Sequence, residues 1–215
     1  MTLQQDILVD LLRTRLAGPL PGREAQYKMA SLRRLQELGP NPAPPPDAKI
    51  ACVLNLLHRR GDAWHTVLIQ RTANPRDRHS GQVSFPGGRW EEHDGDLSNV
   101  ALREAEEEVG VPQQFVEIIG RLTELYIPVS NFLVYPFVGV LHGPADFRPQ
   151  PGEVEHILTP ALSVFHAADA RKTSDVRVGS EGLVIKNVPY FDVGGRMVWG
   201  ATAMILNEFL EVLGG

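Results

Sequence analysis

Apolar positions near the start of the chain recur at helical spacing. Leu3, Ile7, Leu8, Leu11 and Leu12 fall on one side of a helix over residues 3 to 16. The simplest use of that face is packing on its own domain; a dimer contact is the alternative. The run "GPLPG", residues 18 to 22, ends the helix, and a second helical stretch follows from about Glu24 to Leu38. After "GPNPAPPPDAK" the texture changes to short runs rich in β-branched and aromatic residues: "IACVLNLL", "WHTVLIQR", "VEIIGRL", "FLVYPFVGVL" and "LVIKNVPYFDV". "YFDVGGRMVW" has a two-residue glycine centre that predicts a hairpin. Helices interrupt the strands at about 97–109, 160–169 and 200–213. This order predicts an α/β sandwich with a mixed sheet. Residues 1–48 read as an N-terminal helical arm with a Pro-rich linker, and residues 49–215 as one domain.

Composition narrows the class. In 215 residues, 26 acidic against 21 basic side chains leave a net charge of -5, so no global basic field exists to hold nucleic acid. A phosphorylated ligand would therefore need local arginines or a metal. The single cysteine, Cys52, rules out an intramolecular disulfide framework and suits a reducing compartment. No run is long and apolar enough to span a bilayer. The N-terminus carries Asp6 and Asp10 and lacks a basic start, so no signal peptide is expected and the expected location is cytoplasmic.

Residues 85 to 111, "FPGGRWEEHDGDLSNVALREAEEEVGV", concentrate acid in a chain already negative. Asp96 or Ser98 can cap the helix and Gly110 fits the position past its end. At about 100° per residue, Glu104, Glu107 and Glu108 share one face, while Ala101, Leu102, Ala105 and Val109 form the core stripe. Carboxylates at this spacing disfavour each other's ionisation and cost helix stability. A solvated acidic face is one reading. A hard divalent cation, Mg²⁺ or Mn²⁺, is the other, because it cancels the repulsion and suits carboxylate oxygens. Phe85, Pro86, Gly87 and Gly88 then form a turn where missing side chains let a ligand or metal approach the backbone.

These residues resemble the Nudix box, G-x5-E-x7-R-E-U-x-E-E-x-G-U with U a bulky apolar residue. Gly88 fits the opening glycine, and Arg103, Glu104, Glu107, Glu108, Gly110 and Val111 fit the closing half. Asp94 stands where the first glutamate belongs, eight residues rather than seven separate it from Arg103, and Ala105 is smaller than the usual U residue. A narrower resemblance, to the coenzyme A pyrophosphatase branch, lies in "VLIQRTANPRDRHSGQVSFPGG", "IPVSNFLVYPFVG" and "VWGATAMILNEFL". Arg71, Gly81 and Phe85 to Gly88 match that branch, with Arg76 or Arg78 as its second arginine; Val67, Ile69 and Thr72 depart from it.

The resemblance implies a Nudix α/β/α sandwich that cleaves a diphosphate linked to a nucleoside. Glu104, Glu107 and Glu108 would hold Mg²⁺ or Mn²⁺, which would lower the pKa of a bound water and neutralise diphosphate oxygens. Arg103 would orient Glu104. The general base would be Glu104, or Glu153 in "PGEVEHI". With coenzyme A the products would be 3′-phosphoadenosine 5′-phosphate and 4′-phosphopantetheine. Arg71, Arg76, Arg78 and His79 would meet the substrate's phosphates, beside Gly87 and Gly88. Two other readings compete: hydrolysis of ADP-ribose or another nucleotide, and a nucleotide-sensing module without catalysis. The intact carboxylate set and the lack of a basic recognition helix in residues 1–48 weigh against the module. A small-molecule nucleotide is the expected partner, with no nucleic acid, no membrane and a possible homodimer.

Overall fold

The computed structural model of the chain describes residues 3–39, 42–73, 80–178 and 182–214, without the side chains of 3–6. Three helices come first, α1 (Leu3–Ala17), α2 (Gly22–Tyr27) and α3 (Leu32–Leu38). The single stretch expected over Glu24 to Leu38 is two helices. Ser31 breaks it by taking an extended backbone and capping α3, its Oγ accepting from Arg34 N at 3.2 Å.

The strands follow: β1 (Lys49–Arg60), β2 (Ala63–Thr66), β3 (Leu68–Arg71), β4 (Val83–Ser84) and β5 (Gly87–Arg89). Helix α4 (Leu97–Val109) separates them from β6 (Val116–Arg121), β7 (Leu125–Ile127), β8 (Phe132–Leu141) and β9 (Val154–Leu158). The chain closes with β10 (Arg171–Val178), β11 (Leu183–Val193), β12 (Arg196–Trp199) and α5 (Gly200–Leu213). The helix expected at 160–169 is a short 3₁₀ turn, Leu162–His166. Only Leu162 and Phe165 are buried there, three apart, and one tight turn is enough to seat both. The hairpin at Gly194–Gly195 forms as expected, both glycines at positive φ.

The largest sheet is mixed, in the order β2-β1-β8-β6, with β5 paired to β1 and β7 to β8. Strands β1 and β8 run parallel, Cys52 opposite Tyr135. Two antiparallel sheets, β4-β3-β9 and β10-β11-β12, complete the structure, so the fold is an α/β sandwich. "WHTVLIQR", read as one strand, changes sheets at Val67: β2 bonds β1, whereas β3 bonds β4 and β9. The apolar run Val67-Leu68-Ile69 crosses the break fully buried, so the sequence carries no mark of it.

Two cores lie on the two sides of the mixed sheet. One face holds Cys52, Leu54, Leu56 and Phe137 against Val100, Ala101, Ala105 and Val109 of α4. The opposite side packs Val134 and Val138 with Leu12 and Leu16 of α1 and Met204 and Phe209 of α5. Helix α1 buries Val9, Leu12 and Leu16, whereas Ile7 and Leu11 of the expected packing face are 67% and 38% exposed on its outer side.

A polar seam joins the first helices to α5. The buried Glu208 carboxylate accepts from Gly22 N and Thr123 N, both at 3.2 Å, and from Gln26 Nε2 at 2.8 Å. Its neighbour Asn207 donates to Ala25 O at 2.7 Å and accepts from Arg171 Nη2 at 2.8 Å. Among the described residues no helix is long and apolar enough to cross a membrane.

Candidate active site

Strand β5 lies along the first half of β1, with Cys52 opposite Gly88 and Val53 opposite Gly87. Helix α4 packs over this edge. Asp96 caps it, accepting from Ser98 N at 3.1 Å, and Gly110 ends it in the left-handed conformation. Of the expected core stripe, Ala101, Ala105 and Val109 are buried, joined by Val100, while Leu102 is half-buried. The small Ala105 and the glycine pair let helix and strand approach closely. A β-carbon on Gly87 would lie 2.3 Å from Cys52 O.

The acidic face is graded rather than uniform. Glu108 is 1% exposed, Glu104 is half-buried and Glu107 is open to solvent. Glu108 Oε2 accepts from Gly87 N at 2.8 Å, and Arg71 Nη1 stands 3.6 Å from Oε1. Burial outweighs both contacts and pushes the Glu108 carboxyl up to about 8, with the charges of Glu104 and Glu153 adding to the rise. Glu104 is raised by the same cause, burial, against the pull of Arg103.

Arg103 fans across three carboxylates. Its Nε and Nη2 grip both oxygens of Asp94 at 2.7 and 3.1 Å, and its Nη1 donates to Glu104 Oε1 at 2.8 Å and reaches Glu107 Oε2 at 3.4 Å. Asp94, 7% exposed, is thus an anchor for Arg103. That bidentate contact holds its carboxyl below the usual range. A 3₁₀ turn, Glu92–Asp94, precedes α4, its box closing between Glu91 and Asp94; Asn99 Nδ2 donates to Asp94 O at 2.9 Å.

Glu153 is exposed on the turn before β9, yet its charge acts on both Glu104 and Glu108. Sequence spacing had no means to bring it there; the pairing of β3 with β9 does. Arg71 faces Glu108, and Arg76, Arg78 and His79 lie outside the described residues. Thr72, which sequence reading treated only as a departure from a pattern, bonds the Glu153 turn: Thr72 N donates to Glu153 O at 2.9 Å and Oγ1 to Gly152 O at 2.7 Å.

Glu104, Glu107, Glu108 and Glu153 form an excess of carboxylates around a glycine pair, with Arg71 and Arg103 as nearby cations. Oxygen donors of this kind fit a hard divalent cation. Among the described residues no three such side chains stand together as a finished cage. Glu104 is turned to Arg103 and Glu108 to Gly87, and a cation that keeps waters and substrate oxygens in its shell needs only one or two protein ligands at a time.

A family model described as NUDIX domain matches residues 47–176. "Nudix hydrolase 15, mitochondrial" of Arabidopsis thaliana is 35% identical over 164 residues, 74% of this chain and 56% of that protein. The chain thus spans about half the length of that plant relative. "Uncharacterized Nudix hydrolase NudL" of Photorhabdus laumondii is 33% identical over 147 residues, 68% of this chain and 76% of that one. Among solved structures, a MutT/nudix family protein from Enterococcus faecalis aligns over 89% of this chain and 78% of its own, at a TM-score of 0.48 and 17% identity.

Proposed function

The chain belongs to the Nudix family, and from that premise we propose that it hydrolyses a nucleoside diphosphate-linked substrate with the help of a divalent cation, Mg²⁺ or Mn²⁺. The observation that carries this reading is Glu108, a carboxylate buried against Gly87 with too little positive charge around it to stay ionised alone. Coenzyme A is the substrate we favour, because the stretch from Val67 to Gly88 resembles that branch of the family and Arg71 stands at the edge of the carboxylate group.

Glu104, Glu107 and Glu108 would hold the cation. When bound, it supplies charge neutralisation for diphosphate oxygens and an activated water. The chain's own groups do the rest. Arg103 orients Glu104 while Asp94 holds Arg103. Gly87 N–H holds Glu108, and Gly88 leaves the Glu104 carboxylate room. Glu153 or Glu104 takes the proton of the attacking water. Arg71, with Arg76, Arg78 and His79, would meet substrate phosphates. A cytoplasmic location and a homodimer remain part of the proposal. The single buried Cys52 and the exposed side of α1 support them in turn.

Mass spectrometry of the protein incubated with coenzyme A and Mg²⁺ or Mn²⁺ tests it, beside Glu107→Gln and an ADP-ribose reaction. Metal-dependent release of 4′-phosphopantetheine, lost in the variant, is the expected result. Cleavage of ADP-ribose alone would keep the metal hydrolase and move the substrate. No cleavage of either would sink the coenzyme A reading and shift weight to a binding module.

A further inference from the structure

The turn 148–153 is bonded on both of its sides. Towards α4, Arg148 N donates to Val109 O at 2.9 Å and Gln150 N to Glu108 O at 3.0 Å, which occupies carbonyls that the helix end leaves without a partner. Towards β3, Thr72 contributes its backbone N–H and its hydroxyl. The two acceptors are consecutive, Gly152 O and Glu153 O, so Thr72 fixes the peptide plane from which the Glu153 side chain departs. Gly152 has φ +92°, a backbone that a residue with a β-carbon rarely takes, and the turn depends on that conformation. Strand β3 thereby places two neighbouring residues on two parts of one site: Arg71 on Glu108 and Thr72 on the Glu153 turn.

We infer that Thr72 is a positioning residue for the hydrolysis, its hydroxyl clamping Gly152 so that Glu153 faces the carboxylate group of α4. The backbone bond from Thr72 N alone continues the β3–β9 ladder and survives any substitution except proline. The hydroxyl bond is what side-chain chemistry adds at this position. It lies across the last turn before β9, beside the register shift of the pair between Gln70 and Arg71. Without it, the turn keeps its connections to α4 while the Glu153 end gains freedom. The assignment rests on the metal-hydrolase reading above, since Glu153 has a task only if water is activated beside Glu104 and Glu108.

Thr72→Val, which keeps shape and removes the hydroxyl, and Thr72→Ser, which keeps the hydroxyl, separate the two contributions. With coenzyme A and Mg²⁺ as the probe, Thr72→Val is expected to lower kcat roughly ten- to a hundredfold with KM unchanged, as for a misplaced catalytic group. Thr72→Ser is expected to restore most of that kcat. In a Glu153→Gln background, Thr72→Val should then have no further effect on kcat, because the group it positions is already disabled. Unfolding midpoints are measured for each variant, and Thr72→Ala replaces Thr72→Val if the latter does not fold. Wild-type kcat in Thr72→Val, or equal losses for Val and Ser, or additive losses with Glu153→Gln, would overturn the assignment. A wild-type protein inactive on every diphosphate tried would instead overturn the hydrolase reading itself.

Discussion

Gly88 and Glu104 occupy one space. A β-carbon on Gly88 would stand 2.3 Å from Glu104 Oε1 and 2.4 Å from its carboxyl carbon. What would be displaced is the end of a flexible side chain, so the fold can yield while the site cannot. At Gly87 the obstruction is backbone, Cys52 O at 2.3 Å and Val53 Cα at 2.7 Å. Gly88→Ala should therefore reduce metal-dependent turnover by roughly tenfold or more with little change in unfolding midpoint. Gly87→Ala should cost about 2 kcal/mol or more of stability through overpacking. Calorimetry and activity on the two variants check the split. Equal stability losses would show that Glu104 is as fixed as the strand.

Asp94 and Arg103 set the second expectation. Arg103 holds the Asp94 carboxyl below its usual range, so the pair stabilises the fold above the unfolded aspartate's pKa and that stability is lost as pH falls through the lower folded value. Asp94→Asn removes the charge that Arg103 grips and should lower stability at neutral pH, Arg103 keeping Glu104 and Glu107 as partners. It should also flatten the acid limb of the stability profile. Urea unfolding of both proteins across the acid range measures this, and an acid limb of unchanged slope in Asp94→Asn would count against it.

How far these features were legible from residues alone differs by kind. Helix α4, its end at Gly110 and the approach of Gly87 and Gly88 depend on local spacing, and the chain states them openly, while spacing left the cap open between Asp96 and Ser98. The grading of Glu108, Glu104 and Glu107 from buried to exposed was not legible, because helical spacing gives a face but not the depth of each residue in it. Nor was the change of sheet at Val67, where a continuous buried run carries on while the hydrogen-bonding partner switches. Thr72 meets the Glu153 turn only through strand pairing over a separation of about eighty residues, which a window of sequence does not contain, and Glu153 was reached only through the family resemblance. Glu208 and Gln26 are polar positions of α5 and α2, and both are fully buried.

That last pair has a consequence for the first helices. Glu208 accepts three hydrogen bonds, two of them from α2 and its start. Glu208→Ala strands those donors in a dry seam and should destabilise the protein by roughly 3 kcal/mol or more. Deleting residues 1–48 should cost more still, because it also removes Leu12, Leu16 and Met29 from the core beneath α5. Chemical unfolding of the full chain, Glu208→Ala and the shortened chain ranks the three. A shortened chain as stable as the full one would make the arm dispensable to the domain.

Glu108 joins stability to the chemistry proposed for the site. In the unfolded chain a glutamate releases its proton near pH ~4.3. In the folded protein, burial holds that proton up to about 8. Between these values the folded state binds a proton that the unfolded state has lost, so metal-free protein should lose stability as pH rises across the window, with the contribution most favourable below it. The Gly87 N–H and Arg71 soften the penalty without removing it. Glu108→Gln carries no charge to desolvate and can still accept from Gly87 N. It should flatten this limb and be the more stable protein near the top of the window in the presence of a chelator. A divalent cation reverses the order: it favours the carboxylate, displaces the proton and should stabilise wild type at alkaline pH while leaving Glu108→Gln almost unchanged. Thermal unfolding from about pH 5 to about pH 9, with chelator and then with Mg²⁺, reads both effects. If wild type and Glu108→Gln respond alike to pH and to Mg²⁺, then Glu108 is only a buried packing residue, and the cation site must be sought in the other carboxylates of α4.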